Sequence, residues 1–292
     1  RTVYGLGGNA LMDSAVAAIY AAKGRPQFNP LIVHVRSIDD AKRYTEFNAL
    51  AEKLAQHFWP GPLTLVLPRK KECALSLLVS AGMDTVAIRM PAHPLAQKLL
   101  AESGLPIAAP SANRSGRISP TEAQHVRDEL GDRISMVLDG GASSVGIEST
   151  VVNATGSIPV ILRPGSVTPQ QISEALGVAV SFAAADEAIT SPGMLASHYA
   201  PGKPMRLNAT HAEPHEALLA FGANVPSGAA VTENLSAKGS LQEAAANLFR
   251  MLRVLDASSA KSIAVMPIPE SGAGNALGIA INDRLKRAAT PA

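Results

Sequence analysis

The sequence predicts a layered α/β protein in two parts: a larger domain over residues 1–180 and a smaller one over 205–292, joined by a linker at 181–204. Three observations carry this. Short apolar runs rich in β-branched residues alternate with helical patterns, the order that builds a parallel sheet with helices packed on it. The alternation breaks between Ser181 and Pro204, where Ser191-Pro192-Gly193-Met194 and His198-Tyr199-Ala200-Pro201 oppose regular structure. It then resumes as a second, shorter series. A length of 292 residues leaves room for two domains of ordinary size.

In chain order, Thr2 to Tyr4 reads as a strand end and Gly5 to Asn9 as a turn. Asp13 or Ser14 can cap a helix from Ala15 to Lys23. Leu31 to Val35 is a short strand, and Asp39 or Asp40 opens a helix running to Gln56 with Ala41, Leu50 and Leu54 inward. Leu63 to Leu67 and Thr85 to Met90 are strands. Pro94 to Ser103 is a helix stopped by Gly104, Ile107 to Ala109 a strand, and Thr121 to Leu130 a helix stopped by Gly131. Val137 to Asp139, Thr150 to Asn153 and Val160 to Arg163 read as strands, and Thr168 to Leu176 as a helix. In the smaller domain, Ala217 to Gly222 and Ser262 to Ile268 are strands. Ser240 to Asp256 is an amphipathic helix with Leu241, Ala244, Ala245, Leu248, Leu252 and Leu255 on one face. Asn275 to Ala289 closes the chain as a helix whose Arg284, Lys286 and Arg287 suit a C-terminal end.

Composition narrows the function classes. Hydrophobic residues make up 47% of the chain, enough for a sizeable core, and the net charge is +2. Near-neutrality argues against wrapping nucleic acid by bulk electrostatics, and 4% aromatics are too few for a platform that stacks single strands. Cys73 is the single cysteine, so no internal disulfide forms; a buried, inert thiol in a reducing compartment such as the cytoplasm is expected. No run approaches the roughly 20 apolar residues of a membrane span, and no signal peptide opens the visible sequence. The chain begins at Arg1 with Thr2-Val3-Tyr4 already reading as mid-strand, so further chain upstream is expected.

The chemistry-bearing residues sit where apolar runs end. Gly5-Leu6-Gly7-Gly8-Asn9-Ala10 matches G-x-G-x-x-A, but the following strand ends in Arg36 rather than an acid, and no G-x-x-x-x-G-K-[ST] occurs. Lys23-Gly24-Arg25-Pro26 ends a helix; alone its cations complement the helix dipole, but Asn29 and His34 follow at once. Such a group offers the charge-assisted donors that phosphate oxygens need. Ser111 and Asn113 open a loop after a strand, extended by Ser115, Gly116 and Ser119 with Arg114 and Arg117 between them. Arg89 ends a strand, where a buried guanidinium wants an anion: a substrate carboxylate, or an internal partner such as Asp84 or Glu148. Glu148-Ser149-Thr150 opens the next strand and Arg163-Pro164-Gly165 closes another. The histidines at 34, 57, 93, 125, 198, 211 and 215 show no zinc-type spacing, and His211 and His215 sit in a polar stretch that reads as surface. Trp59 reads as core or as a cavity wall.

Together these segments resemble the threonylcarbamoyl-AMP synthase family in its two-domain form, whose catalytic part is the YrdC-like domain. The resemblance covers nearly the whole chain, linker and C-terminal Gly278-Ile279-Ala280 to Asp283-Arg284-Leu285 included. It implies a twisted-sheet α/β domain with a concave, basic surface and a smaller Rossmann-like α/β domain. It implies that L-threonine, bicarbonate and ATP are joined into threonylcarbamoyl-adenylate with release of pyrophosphate. The product would feed threonylcarbamoylation of adenosine in tRNAs reading ANN codons, through a downstream transferase. The family's Lys-x-Arg and Ser-x-Asn signature falls on Lys23, Arg25, Ser111 and Asn113, with Lys23 and Arg25 implied in catalysis. Threonine contacts carry over to Thr2, His34, Arg89, the Ala109 backbone and Ser149. ATP contacts carry over to Arg25, Asn29, Thr85, Ser111, Asn113, Ser119 and Arg163, with Tyr199 closing over the nucleotide. Magnesium is expected on the triphosphate, since no acidic cluster suggests a protein cage. One departure is visible: the family usually has an acid immediately before Thr-Val-Tyr-Gly, where this chain has Arg1. Two other readings stand beside this one. An RNA-binding module of the same fold, using Arg114, Arg117, Arg127 and Arg133, would contact tRNA without synthase activity. A carbamoyl-transfer domain of hydrogenase maturation would normally bring zinc-finger-like cysteines that Cys73 alone cannot supply.

Overall fold

The structure, a computed structural model, describes residues 2–184, 197–270 and 276–291. The linker tetrapeptide 191–194 and Arg1 lie outside the described residues. The first part of the chain supplies strands β1 (Gly8–Asn9), β2 (Ile32–His34), β3 (Leu63–Pro68), β4 (Thr85–Arg89), β5 (Ile107–Ala108), β6 (Thr150–Asn153), β7 (Val160–Arg163) and β8 (Ser181–Phe182). They form one sheet in the order β1-β5-β2-β4-β3-β6-β7-β8. The sheet is mixed rather than parallel: β2–β4, β3–β6 and β7–β8 run parallel, while the other neighbours are antiparallel. Ser181 and Phe182, expected in the linker, instead add an edge strand beside β7.

Period-two alternation gives this sheet two different faces. Val33, Leu65, Leu67, Val86, Ile88, Val152 and Ile161 point into the main core. There they meet helices α1 (Asp13–Lys23), α3 (Ala49–Phe58) and α6 (Pro169–Leu176), together with Trp59, whose Nε1 donates to the Leu63 carbonyl at 2.7 Å. Ile32, Val66, Ala87, Val151 and Leu162 form a thinner apolar patch on the opposite face. The remaining helices of this part are α2 (Ile38–Tyr44), α4 (Pro94–Ser103) and α5 (Ala123–Leu130).

Four sequence expectations are corrected here. The single helix expected from Asp39 to Gln56 is two, because Ser37 and Asn48 each cap a helix, accepting from the N–H of Asp40 and of Ala51. Between them Thr45 is fully buried and bridges to Arg69 instead of continuing the helix. Val137 to Asp139 is not a strand: the Asp139 carboxylate accepts from the Gly141 N–H at 2.9 Å and turns the chain. Thr2 to Tyr4 is irregular as well, since residues 4 to 6 pair with the loop 110–112 rather than with the sheet. Ala112 donates to the Tyr4 carbonyl and Leu6 to that of Pro110, both at 2.8 Å. Cys73 is half-buried against the core rather than wholly inside it.

The second part is a parallel sheet of β9 (Met205–Arg206), β10 (Glu216–Ala220), β11 (Val231–Asn234) and β12 (Ser262–Val265), ordered β11-β10-β12-β9. Helix α7 (Leu241–Ala257), capped by Ser240, buries the face foreseen from its spacing, and α8 (Ala276–Ala289) packs beside it. β9 and β11 were not anticipated: β9 has two residues, and Val231-Thr232-Glu233-Asn234 carries little apolar signal. The two sheets keep separate cores, but the parts pack together: the loop residues Ile118 and Ile147 of the first are buried among Leu248, Phe249 and Leu252 of the second. A salt bridge from Arg253 to Glu129 (2.5 Å) lies beside this contact.

Candidate active site

A cavity of about 730 Å³ opens between the sheet's thin-patch side, the 2–9 segment and the 109–112 loop. It is built where strands and their flanking turns end. β2 and β4 run parallel with His34 opposite Arg89, so these two side chains reach the cavity side by side. The Arg89 guanidinium is buried; its Nε donates to the Gly61 carbonyl (2.8 Å) and its Nη1 to the Thr2 hydroxyl (3.2 Å). Neither Asp84, Glu148 nor any other carboxylate among the described residues pairs with it, so its charge suits an anion from outside. Burial and the neighbouring Arg163 draw its pKa down to about 10, and it remains a cation at neutral pH. His34 is held neutral: burial, then Arg89, pull its pKa to about 3, and its Nδ1 has no hydrogen-bond partner.

Helix α1 supplies the next cation. Gly24 takes a left-handed conformation (φ 60°) that ends the helix and swings Arg25 inward. Arg25 is buried and tied to Asn29, donating to its side-chain oxygen at 2.6 Å and to the Pro30 carbonyl at 2.9 Å. On the far wall Arg163, at the end of β7, donates to the carbonyl and hydroxyl of Ser149, while the Thr64 and Ser149 hydroxyls lie 2.8 Å apart. His198 and Tyr199 form the roof. Tyr199 is fully buried at a positive φ of 63°, its ring 5.5 Å from Phe249 of α7 and 4.0 Å from His198. Burial raises the Tyr199 phenol to about 12 and holds His198 neutral, so the roof is uncharged above a cationic floor.

The structure therefore brings Thr2, Arg25, His34, Arg89, Ala109, Ser111, Ser149, Arg163 and Tyr199 onto one cavity. Asn29, Asn113, Ser119 and Lys23 stand just behind the wall. Lys23 does not project into the space: its ammonium donates to the carbonyls of Ser111 (2.6 Å) and Asn113, and so staples the Ser-x-Asn loop to α1. Burial, then Arg25, lower its pKa to about 7. Ser119 donates to Glu148 at 2.5 Å. Thr85 is not brought in; it starts β4 opposite Pro68, roughly 13 Å along the strand from Arg89.

Sequence reading missed two parts. One is the apolar wall of Leu95, Leu99, Met136 and Leu138, whose hydrophobic signal read as helix and strand interior. The other is Arg284, which takes the Glu148 carboxylate that had been a candidate partner for Arg89. Among the described residues no group of three or more His, Cys, Asp or Glu could hold a metal ion. No described helix is long and apolar enough to cross a membrane.

A mixed sheet carrying a cation-lined cavity, roofed by residues packed on a second, parallel-sheet domain, defines a two-domain protein built to hold anionic ligands. Residues 1–165 match the Sua5–YciO–YrdC family model, described as telomere recombination, and residues 167–290 match that of the threonylcarbamoyl-AMP synthase C-terminal domain. The threonylcarbamoyl-AMP synthase of Bacillus subtilis is 43% identical over 99% of this chain and 87% of its own length. That of Pyrococcus abyssi is 39% identical over 99% of this chain and 88% of its own. The crystal structure of P. abyssi Sua5 complexed with L-threonine superposes with a TM-score of 0.88 at 37% identity, covering 99% of this chain and 88% of that one. The chain belongs to the threonylcarbamoyl-AMP synthase family.

Proposed function

We propose that this chain condenses L-threonine and bicarbonate into an N-carboxylated threonine and transfers adenylate from ATP to it, yielding threonylcarbamoyl-AMP and pyrophosphate. The observation that carries this reading is the gathering of Arg25, Arg89 and Arg163 around one cavity with neutral His34 beside Arg89. The P. abyssi protein crystallised with L-threonine supports the amino-acid half of it. Arg89 would take the threonine carboxylate, with Thr2, Ser149 and His34 around the amine. Loss of a proton from the threonine ammonium lets the nitrogen attack the carbonyl carbon, and water leaves. An oxygen of the new carbamate then attacks the α-phosphorus as the bond to the bridging oxygen of the β-phosphate breaks, and pyrophosphate departs. Arg25 and Arg163 would offset the charge developing on the phosphates, so positioning and electrostatics supply the catalysis. Lys23 would act through the loop that it staples. Magnesium would enter as the counterion of ATP. The product would pass to a transferase that modifies tRNA, and Arg133 at the cavity mouth suits contact with that RNA. A reducing compartment such as the cytoplasm fits the lone cysteine.

The test is threonine-dependent pyrophosphate release with ATP and bicarbonate, with the adenylate identified by mass. Arg89→Ala should raise the threonine KM by about 100-fold, the scale of a lost charge-assisted pair. Lys23→Ala should mainly lower kcat. Absence of threonine-dependent release from the wild-type chain defeats the reading.

A further inference from the structure

One guanidinium of the second domain reaches the wall of the cavity. Arg284 of α8 is fully buried; its Nε donates to Glu148 (3.1 Å) and its Nη1 to the backbone carbonyl of Pro164 (2.6 Å). Glu148 lines the cavity, and its other oxygen accepts from Ser119. Glu148 is followed by Ser149, and Pro164 follows Arg163, the cation that grips Ser149. A single side chain thus holds both segments that bring Ser149 and Arg163 to the ligand space. The seating is reinforced by the backbone: Ile147 is buried in the core of the second domain, and a Cβ on Gly146 would lie 2.3 Å from the Ala245 carbonyl of α7. Burial alone would pull the Arg284 pKa down, but Tyr199, Glu148 and Asp283 raise it, so the charge persists.

The electrostatic consequence concerns the nucleotide. A bare carboxylate on the wall of a low-dielectric cavity repels a polyphosphate strongly. We infer that Arg284 is a positioning residue for ATP: by neutralising Glu148 and tethering Pro164 behind Arg163, it makes the second domain part of the nucleotide site without touching the nucleotide. This rests on the anionic-substrate reading above.

The test is calorimetric titration of the full chain with MgATP, which needs no turnover. Arg284→Ala should weaken binding by about 30-fold, the scale of an uncompensated buried charge. Adding Glu148→Gln to that variant should restore at least about fivefold, because the repelling charge is gone. A purely structural strut predicts the opposite, since the double variant loses both ends of the contact. Glu148→Gln alone should bind as well as wild type or better. Arg284→Lys, which keeps the charge but cannot serve Glu148, the Pro164 carbonyl and Asp283 together, should fall between wild type and alanine. If Arg284→Ala does not fold, Glu148→Gln and Arg284→Lys carry the decision. Tenfold weaker binding in Glu148→Gln, unchanged binding in Arg284→Lys, or a double variant no better than Arg284→Ala overturns the inference. A wild-type chain that does not bind MgATP defeats the proposed function itself.

Discussion

At the scale of single residues, the cations in and behind the cavity wall are costly to bury. Lys23, Arg25, Arg89 and Arg163 are all nearly removed from water, and burial pulls each pKa below its ordinary value. Lys23 converts that cost into a measurable slope. Its ammonium titrates near 7 in the folded chain and near 10.5 when unfolded, so between these values the unfolded state holds more protons. Stability therefore rises with pH across that window, by up to about 1.4 kcal/mol per pH unit from this group, and is insensitive to it below pH 7. The expected result in urea titrations is a gap between wild type and Lys23→Met that moves in favour of wild type from pH 7 to 9. A gap that stays constant would mean that Lys23 keeps its proton when buried. The motif Lys-x-Arg was legible in the sequence as cations at a helix end. That only one of the two faces the cavity was not, because the direction is set by Gly24 and by the distant carbonyls of Ser111 and Asn113.

At the scale of elements, the 146–149 segment decides how much of the site survives perturbation. Gly146 has φ near 78°, and its Cα faces the backbone of α7, with Ala246 Cα only 2.5 Å from a built Cβ. Gly146→Ala should therefore push Glu148 and Ser149 off their partners and cost about 2 kcal/mol or more in stability. Threonine and ATP affinity should fall with it. Gly156→Ala, with nothing within 4 Å of its added methyl, is the matched control and should be nearly neutral. Equal behaviour of the two variants in urea unfolding would show that the close approach is unimportant. This element also marks the limit of local reading. Strand β6, helix α4 up to Gly104 and the capped α6 were plain from β-branched runs, Pro at a helix start and Gly after its end. Mixed strand directions, the pairing of Thr45 with Arg69 and the docking of Ile147 beside Leu248 depend on partners outside any local window of sequence.

At the scale of the molecule, loop residues of the first part are buried in the core of the second, and this predicts one unfolding unit. Ile118, Ile147 and Tyr199 are buried with Leu248, Phe249 and Leu252, so opening either domain exposes apolar surface of the other. Trp59 is the sole tryptophan and sits in the core of the first sheet, so its fluorescence reports that domain alone. Leu248 lies in α7 of the second domain with no exposed surface. Leu248→Ala should cost about 2–5 kcal/mol through lost transfer energy and the cavity left behind. With coupled domains, the whole loss should register in the Trp59 signal, its urea midpoint moving together with that of far-ultraviolet circular dichroism. With independent domains, the Trp59 midpoint would stay in place while part of the dichroism shifted to lower urea. The coupled outcome also fits the placement of Arg284 and Tyr199, since the proposed nucleotide site, roofed by linker residues packed on one domain and floored by the other, keeps its geometry only while both are folded against each other.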